Sequence, residues 1–387
     1  MRSTIHTQDV QGHAMHRNIS LSALVLIAAL AGSRLALADP PGLKTLDIGT
    51  TAPDFALPGV DGKIHHLKDF ADAKILVVVF TCNHCPTAQA YEDRIIKLDA
   101  DYKDKGVKVV AISPNSPAGL RLDELGYTDV GDSFEDMKIR AKDRNFRFPY
   151  LYDGDTQTTA KAYGVLATPH VYVFDSERKL RYVGRFDDGE VKTPKSHDTL
   201  NAVNALLVGK PVPVEKTRVF GCSTKWADKE SDAKKSLARW DAEPVTIDPI
   251  DEAGIKKLVK NEGKKLLLVN MWATWCGPCV ADLPELTTIN RMYRGRPFRM
   301  VTISVDEPDK KAEPLDLLKE NHLSATNYIA KVKDHDSLAE ALDKDWPGPV
   351  PYTLLIAPGG KILYRKTGAI EPLELKRAIV SYLGRTY

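Results

Sequence analysis

Two pairs of cysteines with the same spacing stand out in this chain. Cys82 and Cys85 follow the apolar run 74–80, and Cys276 and Cys279 follow the apolar run 265–271. Each run has the length of a buried β-strand. Two thiols three residues apart, placed between a strand and a helix, can open and close a disulfide. Each pair therefore predicts a dithiol redox centre.

The order of the two thiols in each pair predicts their roles. We expect each pair to lie on the first turn of a helix, where the positive end of the helix dipole lowers a thiol pKa. Cys82 and Cys276 would then be the attacking thiolates, and Cys85 and Cys279 the resolving thiols. Exchange would pass through a mixed disulfide with a substrate protein. The redox-active disulfides would be Cys82–Cys85 and Cys276–Cys279, with no other cofactor and no metal.

The elements that must position these thiols repeat along the chain. The first half predicts strands at 74–80, 107–112, 170–174 and 180–184, with a helix near 86–104. The second half predicts strands at 265–271, 298–305, 352–356 and 361–365, with helices near 251–261 and 374–383. Alternating strands and helices predict an α/β fold with a partly parallel sheet. The repeated order predicts an internal duplication.

The predicted organisation is a leader at 1–38, a first domain at 44–210, a proline-bearing connector at 211–240 and a second domain at 241–387. The formal net charge of +2, without a sustained basic stripe, argues against nucleic-acid binding. Composition favours protein or small-molecule partners.

The N-terminus has the pattern of a secretory signal. Arg17 precedes the apolar run 21–30, and Ala36-Leu37-Ala38 follows it as a cleavage site. A membrane span needs about 20 apolar residues, so this run is short for one, although an uncleaved anchor is the alternative. We expect a periplasmic or secreted protein with no stable membrane span after cleavage. In such compartments paired cysteines form disulfides.

The second half resembles a known family. Trp272-Ala-Thr-Trp275-Cys276-Gly-Pro-Cys279 and the later Val350-Pro351 are similar to the thioredoxin superfamily and its exported TlpA-like branch, over about 241–387. Gly277-Pro278 favours a reducing centre, whereas Asn83-His84 leaves the direction of the first centre open.

The first half resembles the redoxin group related to peroxiredoxins, over about 44–210. The resemblance rests on Ala52-Pro53-Asp54-Phe55, Phe80-Thr-Cys82-Asn-His-Cys85 and Thr168-Pro169. Together the two resemblances imply two thioredoxin-like domains in tandem, each a central mixed sheet flanked by helices. They also imply that Pro169 and Pro351 are cis. The backbone at Thr168–Pro169 and Val350–Pro351 would pair with a substrate chain by strand addition.

Three residues are candidates for tuning the centres. Thioredoxins have a buried Asp at the position where this chain has Asn270. The resemblance therefore makes Asp282 a candidate for the proton relay that this Asp would provide. The alternative is that Asp282 is a solvated helix carboxylate. His84 is expected to stabilise the Cys82 thiolate, unless it is an exposed polar residue at a helix start. Trp275 is expected to shield the second disulfide.

The fifth cysteine, Cys222, is a possible accessory thiol that could receive a disulfide from the first centre, or a buried inert thiol. A zinc site is disfavoured because the two pairs are far beyond zinc-ribbon spacing. A merely structural Cys82–Cys85 disulfide remains an alternative.

The sequence thus predicts an exported thiol–disulfide oxidoreductase. Its partners would be protein thiols and disulfides and a membrane or periplasmic electron donor. Two other functions stay open. One is a thiol-dependent, antioxidant peroxidase, although the peroxidase motif expected from peroxiredoxins is absent. The other is a first domain that binds copper or a partner through Cys82, His84 and Cys85, with redox activity only in the second domain.

Overall fold

A computed structural model describes residues 42–387 of the protein. The predicted signal segment 1–38 lies outside the described residues. Within 42–387, no helix combines the length and the apolar character that crossing a membrane requires.

The first half of the described chain is built on a five-stranded sheet. The strands of this half, within and outside that sheet, are β1 (Ala56–Pro58), β2 (Ile64–His66), β3 (Ile75–Phe80), β4 (Val107–Ser113), β5 (Tyr150–Tyr152), β6 (Ala167–Thr168), β7 (His170–Phe174), β8 (Leu180–Gly184) and β9 (Cys222–Ser223). Its helices are α1 (Pro86–Tyr102), α2 (Phe134–Asp143), α3 (Thr158–Tyr163), α4 (Asp198–Leu207) and α5 (Glu230–Asp241). The sheet order is β5-β4-β3-β7-β8, while β1–β2 and β6–β9 form separate pairs.

The second half is built on a six-stranded sheet. Its strands are β10 (Asp248–Ile250), β11 (Leu266–Trp272), β12 (Phe298–Ser304), β13 (Thr326–Ala330), β14 (Tyr352–Ile356) and β15 (Ile362–Thr367). Its helices are α6 (Glu252–Lys260), α7 (Gly277–Tyr293), α8 (Ala312–Glu320), α9 (His335–Leu342) and α10 (Pro372–Leu383). The sheet order is β10-β13-β12-β11-β14-β15.

Both sheets are mixed in the same way. The central strand β3 runs parallel to β4 and antiparallel to β7, and β11 runs parallel to β12 and antiparallel to β14. Every residue of β3 and of β11 is buried, because helices cover both faces of each sheet. Alternate side chains of β3 accordingly enter two different cores, Val77 and Val79 on one face and Leu76 and Val78 on the other. The predicted α/β fold with two mixed, helix-flanked sheets is confirmed.

Several elements differ from the sequence prediction. The connector, which shows no clear periodicity, contains the strand β9 and the helix α5. The sequence predicts no strand between residues 305 and 352, yet β13 begins at Thr326 and adds a parallel strand to the sheet. The sequence predicts helical character over 153–163, whereas α3 begins at Thr158 and the Asp153 carboxylate accepts the backbone N–H of Ala160 at 2.7 Å.

The two halves are joined by a polar interface. The Tyr293 hydroxyl on α7 donates to the Thr128 carbonyl oxygen at 2.7 Å. The Asp129 carboxylate is almost completely buried and contacts Arg385 at 2.6 Å and Arg377 at 3.4 Å. The C-terminal residues of the second half are therefore fastened to the segment that precedes Asp132 in the first half.

Candidate redox centres

In the second half, Cys276 lies where the central strand gives way to a helix. It is the N-cap residue of α7, and its sulfur accepts the backbone N–H of Cys279 at 3.3 Å. Cys276 and Cys279 are joined in a disulfide. The Cys276 sulfur lies 3.5 Å from the carbonyl oxygen of Val350, and the Val350–Pro351 peptide is cis. The structure thus brings Cys276, Cys279, Val350 and Pro351 together, as the sequence predicts.

The side chains around this disulfide differ in exposure. Trp275 is 71% exposed beside Cys276, whereas Trp272 is fully buried in the core. The buried Asn270 donates its amide to the Thr353 hydroxyl at 3.0 Å. Trp275 therefore offers an apolar surface to solvent next to the reactive sulfur.

Asp282 is a buried carboxyl one helical turn after Cys279. Burial raises the pKa of Asp282, although its Oδ2 accepts the backbone N–H of Ile370 at 3.1 Å. Residues three apart on a helix lie on the same face. Asp282 therefore lies on the side of α7 that carries Cys279. The carboxyl is buried, so it is not the solvated helix carboxylate considered as the alternative.

In the first half, the cysteines are arranged differently from the prediction. Helix α1 begins at Pro86, so Cys85 is its N-cap residue and accepts the backbone N–H of Ala88 at 3.5 Å. Cys82 lies in the loop before the helix. The expectation that Cys82 begins the helix is wrong. The loop is held out of the helix because Asp132 Oδ1 accepts the backbone N–H groups of Asn83 and His84, at 2.9 and 3.0 Å.

The strand registers show which cysteines correspond. Phe80 pairs with His170, and Met271 pairs with Tyr352; each partner directly follows a cis-proline. Cys85 follows Phe80 at the same distance along the chain as Cys276 follows Met271. Cys85, not Cys82, therefore corresponds to Cys276.

Cys82 is a buried thiol in this arrangement. Its sulfur lies 3.0 Å from the Thr168 hydroxyl oxygen. Burial, the neighbouring Cys85 and the negative charge of Asp132 raise the pKa of Cys82 well above its ordinary value. The role of attacking thiolate expected for Cys82 is therefore not supported.

Cys85 has the lowered pKa of the first pair. Burial acts to raise its pKa, but hydrogen bonds from the thiols of Cys222 and Cys82 outweigh that cost, and the charge of His84 adds to them. The result is a Cys85 pKa well below the ordinary value. Stabilisation by hydrogen bonds to the charged form is a general way to lower a thiol pKa.

His84 and Asp132 form a buried ion pair beside Cys85. His84 Nδ1 lies 2.5 Å from Asp132 Oδ2, and both side chains are almost completely buried. Burial opposes the charge on each, yet their mutual attraction raises the pKa of His84 and lowers that of Asp132. His84 is thus neither exposed nor aimed at stabilising Cys82; its charge acts on Cys85. Asp132 is a site residue that sequence reasoning missed.

The group of ligand atoms that converges beside the first pair includes the Asp132 carboxylate. Ligand atoms of Cys82, His84 and Asp132 lie within 4.8 Å of one another, and this group does not include Cys85. Asp132 already accepts the two backbone N–H groups, the imidazole of His84 and the Asn115 amide at 2.7 Å. The ligand atoms that converge therefore differ from the predicted copper ligands Cys82, His84 and Cys85, because Asp132 takes the place of Cys85.

The connector reaches the first centre through β9. Thr168 pairs antiparallel with Cys222, directly before the cis peptide Thr168–Pro169. The edge at Thr168, expected to bind a substrate chain, is therefore occupied by the protein's own strand. In the part of the chain that the structure describes, no strand pairs with Val350 in the second half.

The two halves match related family models. A model described as the AhpC/TSA family matches residues 48–183, and one described as Redoxin matches residues 254–379. The chain is a tandem redoxin. The two matches fall on the two sheets, so each sheet of the tandem redoxin carries one of the cysteine pairs.

Curated relatives of the tandem redoxin carry thiol–disulfide names. The thiol-disulfide oxidoreductase ResA of Oceanobacillus iheyensis is 31% identical over 109 residues, which are 28% of this chain and 52% of ResA. The thiol:disulfide interchange protein DsbE homolog of Paracoccus denitrificans is 30% identical over 118 residues, covering 30% of this chain and 56% of that protein. The chain thus spans about half the length of these two relatives.

Solved structures also resemble the tandem redoxin. A hypothetical protein from Sinorhizobium meliloti is 35% identical, with 48% of this chain and 97% of that chain covered and a TM-score of 0.43. An uncharacterized conserved protein from Geobacillus kaustophilus is 37% identical, with 48% and 94% covered and a TM-score of 0.42.

Proposed function

We propose that this tandem redoxin is an exported thiol–disulfide oxidoreductase that exchanges disulfides with protein substrates at two centres. The observation that carries the proposal is the disulfide Cys276–Cys279 at a helix N-terminus, next to the cis peptide Val350–Pro351. The names of the curated relatives support the same chemistry.

The second centre has the parts that exchange with a protein requires. Cys276 is 7% exposed, and the N-terminus of α7 stabilises the negative charge that its sulfur carries when the disulfide is opened. A substrate backbone can pair with Val350, since no described strand does. Attack by Cys276 on a substrate disulfide gives a mixed disulfide, which Cys279 resolves, with Asp282 as the proposed proton relay.

The first centre has a different thiol order. Cys85 is the proposed nucleophile, because its charge is stabilised by two thiols, a backbone N–H and His84. Cys82, held protonated beside it, is the proposed resolving thiol.

The location and the partners are part of the proposal. Export rests on the signal pattern of residues 17–38, and an oxidising compartment explains why the Cys pairs would cycle through disulfides. The partners are protein thiols and disulfides, with a membrane or periplasmic protein as the electron donor.

The test is reduction of insulin disulfides by the protein with dithiothreitol as the electron source. We expect turnover by the second centre to disappear in Cys276→Ser. Cys279→Ser should accumulate a mixed disulfide on Cys276, because no neighbouring thiol remains to resolve it. Ser324→Ala, which changes a small hydroxyl far from both cysteine pairs in sequence, is the control and should retain turnover. An unmodified protein that left insulin intact would contradict the proposal, as would rapid thiol-dependent consumption of hydrogen peroxide without any reaction with protein disulfides.

A further inference from the structure

The first centre carries a strand of its own chain where a foreign strand would bind. β9 pairs antiparallel with β6, so that Ala167 faces Ser223 and Thr168 faces Cys222. This pairing lies next to the cis peptide Thr168–Pro169 and therefore uses the backbone groups that strand addition would use.

The close approach of this strand depends on a glycine. Gly221 has φ +145°, and a Cβ built on it would lie 2.1 Å from the Thr168 carbonyl oxygen and 3.3 Å from Pro169 Cδ. Any side chain at residue 221 would push the strand away from Thr168. The sequence is thus adapted to a tight contact at this position.

The residues after β9 fix the strand in place. The Lys225 carbonyl oxygen accepts the Ser116 N–H at 2.8 Å and the Gln157 amide at 2.9 Å. The Lys225 ammonium contacts Glu124 at 2.6 Å, and Trp226 packs against the core that covers one face of the first sheet. The strand is anchored by backbone and side-chain contacts from three separate segments of the first half.

This register places a third sulfur against Cys85. The backbone N–H of Cys222 donates to the Cys85 sulfur at 3.4 Å, and the Cys222 thiol also hydrogen-bonds to it. Cys82, Cys85 and Cys222 form one cluster with Ala88. Cys82 is 2% exposed and Cys85 is fully buried, whereas Cys222 is partly exposed. Among these three cysteines, Cys222 is the one that is not fully buried.

We propose that Cys222 is the redox partner of Cys85 and the point at which the first centre exchanges electrons with other proteins. This inference deepens the proposed function and rests on it. In this arrangement β9 acts as a built-in substrate strand, because it presents its cysteine to Cys85 as a bound substrate would.

The internal exchange conserves electrons. With Cys82 and Cys85 joined in a disulfide, Cys222 loses its proton and attacks the Cys85 sulfur. The Cys85–Cys222 bond forms, the Cys82–Cys85 bond breaks, and Cys82 leaves as a thiolate that takes up the proton released by Cys222. Nothing is oxidised or reduced in this step, and the disulfide has moved to the accessible thiol.

The external exchange uses a protein dithiol as the reductant. Its thiolate attacks Cys222, and Cys85 leaves, because the thiol with the lower pKa is the better leaving group. The second thiol of the partner then attacks its own sulfur in the mixed disulfide and releases Cys222 as a thiol. The partner is oxidised to a disulfide, and the first centre is reduced by two electrons.

The first test uses the full chain with Cys276→Ser and Cys279→Ser, so that only Cys82, Cys85 and Cys222 remain. The protein is equilibrated in a glutathione redox buffer, quenched with acid and alkylated, and its disulfides are mapped by mass spectrometry. With Cys82→Ser added, we expect most oxidised molecules to contain the Cys85–Cys222 disulfide. Free, alkylated Cys222 with a glutathione adduct on Cys85 would overturn the proposal.

A matched control moves the thiol by one residue. Cys222→Ser combined with Ser223→Cys puts the thiol on the opposite side of the strand, where we expect no bond to Cys85. Equal linkage by the moved thiol would overturn the proposal, since mere nearness would then explain the result.

The second test follows reduction of the oxidised centre by a reduced thioredoxin. Cys222→Ser should slow this reaction by about tenfold or more, because only buried sulfurs then remain in the disulfide. Ser223→Ala should leave the rate unchanged, and circular dichroism shows whether each variant is folded. An unchanged rate in folded Cys222→Ser would overturn the proposal. Insulin reduction by protein carrying Cys82→Ser, Cys85→Ser and Cys222→Ser reports on Cys276 and Cys279 alone, so failure of the proposed function there is distinguishable from failure of this inference.

Discussion

Cys85 and Cys276 occupy equivalent positions in the two halves of the protein. Each is the N-cap residue of the helix after a central strand, and their sulfurs lie 3.4 and 3.5 Å from the carbonyl oxygen that precedes a cis-proline. The second thiol differs: Cys279 follows its partner on the helix, whereas Cys82 precedes its partner in a loop. The same cysteine spacing therefore gives two centres of opposite order.

The first prediction concerns the thiolate of the reduced first centre. In protein carrying Cys276→Ser and Cys279→Ser, the thiolate absorbance near 240 nm should show one thiol that titrates below the ordinary cysteine range. Cys85→Ser should remove this transition. Cys82→Ser and Cys222→Ser should each move it to higher pH, because each deletes a hydrogen bond that lowers the Cys85 pKa. A low transition that survives Cys85→Ser would contradict this assignment.

The second prediction concerns the buried pair of His84 and Asp132. His84→Asn leaves the Asp132 carboxylate without its charged partner and should lower the free energy of unfolding by about 3–5 kcal/mol. The matched control is His65→Asn, which breaks a pair with the exposed Asp61 and should cost about 0–1 kcal/mol. Denaturant titration measures both, and equal losses would show that burial of the His84 pair has no effect.

The pH dependence of that pair follows from the signs of its pKa shifts. The raised pKa of His84 gives stability that is present at low pH and lost as pH rises through the folded value. The lowered pKa of Asp132 gives stability that is present above the ordinary carboxyl range and lost as pH falls through the folded value. The difference between the unmodified protein and His84→Asn should therefore be largest between these two pKa values and shrink on either side.

The third prediction concerns Asp282 in the second centre. If it relays the proton of Cys279, Asp282→Asn should lower the insulin reduction rate by about 100-fold at neutral pH. The control is Glu285→Gln, which changes a carboxylate of the same helix that pairs with Lys376 and should retain most of the rate. A full rate in Asp282→Asn would rule out the relay.

A stability measurement on the same variant separates charge from structure. Burial raises the pKa of Asp282, so its ionisation opposes folding once pH exceeds the ordinary carboxyl range. Asp282→Asn should therefore unfold at a higher temperature than the unmodified protein at pH 7. This gain should vanish in acid, where the carboxyl is already protonated.

The fourth prediction concerns the interface between the halves. Asp129→Asn removes the charge that holds Arg385 and Arg377, and should cost about 1–3 kcal/mol, because Asp129 is buried while both arginines are partly exposed. Although burial acts to raise the Asp129 pKa, Arg385 lowers it, so this stability should be lost as pH falls through the folded value. Calorimetry should resolve two unfolding transitions in the variant. The exposed control Asp123→Asn should keep the pattern of the unmodified protein.

The sequence predicted the features that are encoded locally. The apolar runs of β3 and β11, the cysteine spacing and the Thr168–Pro169 and Val350–Pro351 steps lie within short segments, and the structure contains the corresponding strands and cis peptides. The order of the first pair could not be predicted in the same way. It depends on Asp132, which lies 48 residues beyond His84 in the chain and draws the loop before α1 out of the helix.

The accessory thiol shows the same limit. The sequence singled out Cys222 as an unpaired cysteine, but its position against Thr168 depends on strand register and on the close contact of Gly221. Neither the strand register nor the contact at Gly221 can be predicted from the spacing of residues in the sequence. Hydrophobic periodicity predicts the strands and helices, whereas the arrangement of the three thiols depends on charged and backbone contacts between distant segments.

The late arrival of β9 in the chain has a practical consequence for anyone who wishes to divide the protein. A polypeptide cut at residue 210, where the first repeat closes by sequence, would lack Gly221, Cys222 and the anchoring Lys225. Its β6 backbone would be left as an unpaired edge beside two uncovered sulfurs, a surface prone to self-association. A division between α5 and β10, after residue 241, keeps β9 paired with β6. The gene should therefore be split at that point.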